Sequence, residues 1–173
     1  MNEFWEVIKY ILPALLVWWA VYATQKRFFN QAEGRRNFEL KTSNLKVTTP
    51  LRFRAYERMI LFLERITPEN LVLRVQRHDM NAMQLHSELL KTIRMEYEHN
   101  LSQQLYVSPE AWVLIVTAKE SVVKLLNSTV SGINPQSPAL ELSKEFIEDY
   151  HDTGKTPVDL AKNQLQKEVS QYF

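Results

Sequence analysis

The sequence contains no cysteine and only three glycines in 173 residues. The missing thiols exclude disulfides, cysteine-ligated zinc or iron–sulfur sites and a cysteine nucleophile. Gly34, Gly132 and Gly154 lie too far apart to form a phosphate-cradling loop or a dinucleotide fingerprint. Neither a Gly-x-Ser-x-Gly elbow nor a His-Glu-x-x-His pair occurs, and there is no calcium loop. An excess of one charge is also missing. The net charge is +1, so no overall field draws the chain onto nucleic acid, and none is expected as a partner.

What is present is unevenly placed. Residues 10–29, YILPALLVWWAVYATQKRFF, hold no charge between Tyr10 and Ala23. Trp5, Val7 and Ile8 extend the run upstream, and a helix from Trp5 to Ala23 would be about 28 Å long, close to a hydrocarbon core of roughly 30 Å. Lys9 can snorkel near the outer end, and Trp5 at one end with Trp18, Trp19 and Tyr22 at the other suit the two interfaces. Three rival readings fit less well. A soluble core helix and an interfacial helix both lack support, because the run has no polar stripe. A cleaved signal peptide should start positively, whereas Glu3 and Glu6 lead here.

Charge then sets orientation. Residues 26–58 carry nine Lys/Arg against three Glu, whereas residues 59–173 are net −4. Lys26, Arg27, Arg35 and Arg36 follow the apolar run directly and only Lys9 precedes it. The positive-inside rule then puts the N-terminus outside and the C-terminal body in the cytoplasm, with the collar on anionic lipid. The expected location is a bacterial inner membrane, crossed once.

The body reads as helices. Five prolines follow Ser or Thr, at 49–50, 67–68, 108–109, 137–138 and 156–157. Ser/Thr caps free amides and Pro at the next position loses no bond there, so each pair predicts a helix start. Glycines 34, 132 and 154 predict stops. The expected fold is all-α: an anchor with cytoplasmic extension over 1–33, a basic linker over 34–48, and a helical bundle over 49–173. Helices are expected near 50–66, 68–77, 82–105, 109–131, 138–152 and 157–171. NLVLRV (70–75) could be a strand by composition, but it has nothing to pair with and is read as helix. At 100° per residue, Phe53, Tyr56, Ile60 and Leu63 share a face. So do Ala111, Ile115, Ala118, Val122 and Leu126, and so do Val158, Ala161, Leu165, Val169 and Tyr172. MILFLERI (59–66) and AWVLIV (111–116) are apolar on nearly every side. A central position in the bundle explains both; the alternative is a face for another chain, with Trp112, Val113 and Val116 as its contacts.

Two Glu-x-x-His pairs, Glu96/His99 and Glu148/His151, are the only pattern that points to metal, because di-iron bundles use such pairs. Their geometry argues against it. From Phe146, at the centre of the inward face of its helix, Glu148 lies about 200° away and His151 about 140° away. No metal, cofactor or enzymatic activity is expected. His86, Ile93 and Asn100 share one face, where polar groups are normally hydrogen-bonded core residues.

At AYERMILFLERITPENLVLRV and IRMEYEHNLSQQLYVSPEAW the chain resembles an uncharacterised family of small membrane-anchored proteins from Bacteroidota bacteria. The likeness runs from the anchor to about residue 130, and it implies an inner-membrane, cytoplasm-facing helical protein without adding any site residue. The expected role is an accessory subunit or adaptor of a larger inner-membrane complex, in contact with the bilayer and with other subunits or copies of itself. The alternative is a regulatory domain that binds a small ligand or anionic lipid through Lys26, Arg27, Arg35 and Arg36.

Overall fold

The computed structural model describes residues 15–19, 21, 22, 42, 43 and 45–172. The chain forms two compact units, Met1–Thr49 and Pro50–Phe173. In the first unit every described residue is helical. Leu15, Leu16, Val17, Trp18, Trp19, Val21 and Tyr22 are all between 52% and 66% exposed. Trp18 and Tyr22, one turn apart, stack with ring centroids 5.8 Å apart. Among the described residues no helix is long and apolar enough to cross a membrane. Most of the anchor expected over 1–33, and Gly34 with it, lies outside the described residues.

The second unit opens with helical residues 50–65 (α1). Then follow Pro68–Val75 (α2), Ala82–Asn100 (α3) with a 3₁₀ turn over Leu101–Leu105, Pro109–Ser131 (α4), Ala139–Asp152 (α5) and Pro157–Ser170 (α6). Among the described residues all regular structure is helical, apart from one isolated bridge between Asn81 and Pro138. Residues 70–75 are helical, as the lack of a pairing partner required.

Capping explains most of the boundaries. Ser108 Oγ accepts from the Ala111 N–H at 3.0 Å. Thr156 and Asp159 form a reciprocal capping box, as do Asn81 and Gln84. Gly154, just past α5, has φ +69°, a left-handed value that suits a residue without Cβ. Two Pro pairs behave differently from expectation. Thr49 and Pro50 are both helical, so that pair does not start a helix. At Ser137-Pro138 the helix begins one residue later, because backbone pairing replaces the cap. The Ala82 N–H donates to Ser137 O at 2.8 Å and the Ala139 N–H to Met80 O at 3.2 Å. The first amides of α3 and α5 are thus satisfied by the loop that precedes the other helix.

α4 forms the middle of the bundle, with α3, α5 and α6 packed around it. Ala111, Ile115, Ala118, Val122 and Leu126 are all buried along one stripe. The same core cluster holds the large buried side chains Met59, Phe62 and Leu63 from α1, Leu85, Leu89 and Ile93 from α3, and Leu142 and Phe146 from α5. Of the faces expected in the outer helices, Tyr56 and Leu63 are buried, whereas Phe53 and Ile60 are only partly so. Replacing Leu126 with Ala should cost about 2–5 kcal/mol in denaturant unfolding of the detergent-solubilised chain, through lost transfer energy and a residual cavity. Val113→Ala, at an exposed position on the same helix, should change stability by no more than about 0.5 kcal/mol.

Candidate functional site

The sequence nominated three groups of residues, and the structure treats them differently. Trp5, Lys9, Lys26, Arg27, Arg35 and Arg36 lie outside the described residues. Trp18, Trp19 and Tyr22 are exposed on their helix. The proposed contact triad on α4 divides. Val113 projects into solvent at 62% exposure. Val116 is half-buried, and Trp112 is packed against the core. The Trp112 ring stacks on Tyr97 of α3 with centroids 5.9 Å apart. Lys119 Nζ stands 4.4 Å from the Tyr97 ring centroid, a cation–π contact that further fixes the cluster. Trp112 therefore joins α3 to α4, and only the valine offers itself freely.

The acidic motifs also find ordinary partners. Glu96 is shared by Arg74 Nη1 at 2.9 Å and Arg65 Nη1 at 3.2 Å. Burial would raise its carboxyl pKa, but the two guanidiniums outweigh that and hold it below the usual value. His151 meets Glu69 of α2 at 2.7 Å, and Glu148 is exposed. Among the described residues no three His, Asp or Glu side chains are grouped to hold a metal. His86 Nε2 lies 2.8 Å from Asn127 Oδ1, joining α3 to α4.

The densest polar arrangement is one that the helical-wheel reading missed. Glu168 of α6 is only 8% exposed. Tyr56 Oη of α1 donates to its Oε2 at 3.0 Å. Ser108 Oγ, at the N-terminus of α4, donates to its Oε1. Gln164 Nε2 donates to the same Oε1 at 2.9 Å. Arg52 then donates from Nη2 to Tyr56 Oη at 3.1 Å and from Nε to the Tyr106 carbonyl at 3.1 Å. One carboxylate thus ties the last helix to the first and to the cap of the central one. Burial alone would raise the Glu168 pKa, but the bonds from Ser108, Gln164 and Tyr56 together hold it below the ordinary value. The Tyr56 phenol is pushed up to about 12, chiefly by burial and then by its bond to Glu168. A signal for Glu168 did exist in the sequence. It completes the 3–4 spacing Val158, Ala161, Leu165, Glu168, all of them buried.

Beside this network, α1 and α6 leave an apolar groove of about 630 Å³, lined mainly by Phe53, Tyr56, Ile60, Leu61, Leu165 and Val169. Leu61 on its rim is 48% exposed. No charged pair or nucleophile–base pair converges on it, and its lining suits an apolar side-chain ridge rather than a reacting polar substrate.

The network makes stability depend on pH in two windows. The Glu168 pKa is depressed by folding, so its contribution is present above the unfolded value and is lost as pH falls through the folded one. Glu168→Gln should flatten that acid limb in thermal melts across the acidic range. The Tyr56 pKa is raised by folding, so its contribution is intact below 10.0 and fades towards about 12. Phenolate absorbance should show a tyrosine ionising near that upper value, and Tyr56→Phe should remove that component.

No protein of curated function and no solved structure matches the chain. A family model does, over residues 2–172. The chain therefore belongs to a family of unknown function, DUF7935.

Proposed function

We propose that the protein is a single-pass, membrane-anchored adaptor or accessory subunit of a larger complex in a bacterial inner membrane. The observation that carries this reading is the uncovered apolar surface at residues 15–22. Every described side chain there is large and apolar or aromatic, and every one is more than half exposed. Such a helix is stable where lipid or another apolar helix surrounds it, and costly in water. The basic collar after it puts the helical domain on the cytoplasmic side. The anchor holds that domain at the membrane, which raises its effective concentration near membrane partners.

The domain offers a place for such a partner. The α1–α6 groove extends along two turns of α1, from Phe53 to Leu61. Groove-binding helices present apolar anchors at i, i+3 or i+4 and i+7, which matches a groove of this length. The occupant we favour is an amphipathic helix from a membrane subunit. Val113 supplies a second, smaller contact on α4.

Affinity capture from native membranes in mild detergent tests this. The wild-type chain should bring down a discrete set of membrane proteins in near-stoichiometric amount. Leu61→Asn should deplete that set while leaving the protein folded and membrane-bound. Recovery of the protein alone across a series of detergents of increasing mildness would overturn the subunit reading.

A further inference from the structure

The geometry points to a second site, which shares only Leu61 with the groove: a pocket between α1 and the end of α3 that binds a phosphate-bearing anion. The pocket encloses about 300 Å³ and is lined by Arg58, Leu61, Phe62, Arg65, His99 and Asn100. Its size is at the lower end of the range for small-molecule sites.

The electrostatics are what single it out. Arg58 is partly buried and has only neutral acceptors. Its Nε donates to Asn100 Oδ1 at 3.1 Å and its Nη2 to the His99 carbonyl at 3.4 Å. Among the described residues no carboxylate lies within ion-pair distance of it. Asn100 is 6% exposed and donates from Nδ2 to Glu96 O at 2.8 Å, so both ends of its amide are fixed. Arg58 is therefore held in place by a rigid neutral group, a geometry that orients the guanidinium without cancelling its charge.

The surroundings leave the charge uncompensated. Arg65 and Arg74 share the single carboxylate Glu96. Of these, only Arg65 lines the pocket beside Arg58, and Arg58 itself has no carboxylate partner among the described residues. The C-terminus of α3, where Arg58 meets the His99 carbonyl, adds about half a negative charge. A positive excess remains, in a pocket whose floor is a buried asparagine and whose wall is the apolar side of Leu61 and Phe62. Guanidinium forks match phosphate oxygens with paired N–H donors. The apolar wall accommodates a short organic substituent on the phosphate. The ligand class is a phosphate ester, whether a free small molecule or the headgroup of a phospholipid. This inference does not rest on the groove or on a partner protein.

Titration calorimetry of the full-length protein in a neutral detergent tests it, with three probes. Inorganic phosphate and glycerol 3-phosphate represent free ligands. Micelles doped with phosphatidylglycerol, against micelles doped with phosphatidylcholine, represent a headgroup. Binding of a soluble probe identifies a free ligand. Binding confined to the phosphatidylglycerol micelles identifies a headgroup. Either way, Arg58→Gln and Arg65→Gln should each weaken binding about tenfold or more, the size of one charge-assisted hydrogen bond. Circular dichroism checks the fold of each variant. If Arg58→Gln disturbs it, the half-exposed Arg65→Gln decides alone. No binding of any probe, or binding that both variants leave unchanged, overturns the proposal.

Discussion

An apolar helix face has to be covered, and α4 shows what that takes. Three helices pack around it, and its stripe from Ala111 to Leu126 disappears completely from solvent. Each of the other helices likewise turns one apolar face inward and leaves most of its charges outside. α4 too keeps a polar outer face, with Glu110, Glu120 and Lys124 exposed, so the bundle buries one apolar stripe from each helix. The same requirement applies to residues 15–22, where the described side chains are just as apolar but remain exposed.

Local signals carried far in this chain. The α4 stripe follows from the 100° step alone: the five core residues named from it are all buried, and Thr129 continues the stripe. Ser108 and Thr156 cap where the Ser/Thr-Pro pattern predicts. What failed needed knowledge of neighbours in space. Ser137-Pro138 is displaced by one residue because a loop more than fifty residues away, around Met80 and Asn81, satisfies the amides instead. Trp112, nominated with Val113 and Val116 as a partner contact, also packs on Tyr97, a neighbour that nothing in its own helix reveals. The stop at Gly154 was legible because a left-handed residue after a helix is a local need.

Glu168 is the instructive omission. A single acid in an apolar stripe looks like an edge residue, and the inward face of α6 was drawn through Val169 instead. Its long-range hydrogen-bond donors are Tyr56 and Ser108, at sequence separations of 112 and 60. Burying a carboxylate is expensive unless several donors meet it. Three donors do meet it here, and they join α1, α4 and α6 in a defined register. The groove beside it owes its shape to that register, so the polar node and the apolar groove are consequences of one packing arrangement. The neighbouring pocket, which shares Leu61 with the groove, is lined instead by Arg58 and Arg65.

The reading of the whole molecule rests on where its first two dozen residues are most stable. Fractionation of cells expressing the full-length chain, with an alkaline carbonate wash of the membranes, measures this directly. Retention in the high-speed pellet after the wash is the outcome expected of an integral anchor. Free release into the supernatant, before or after the wash, would refute it.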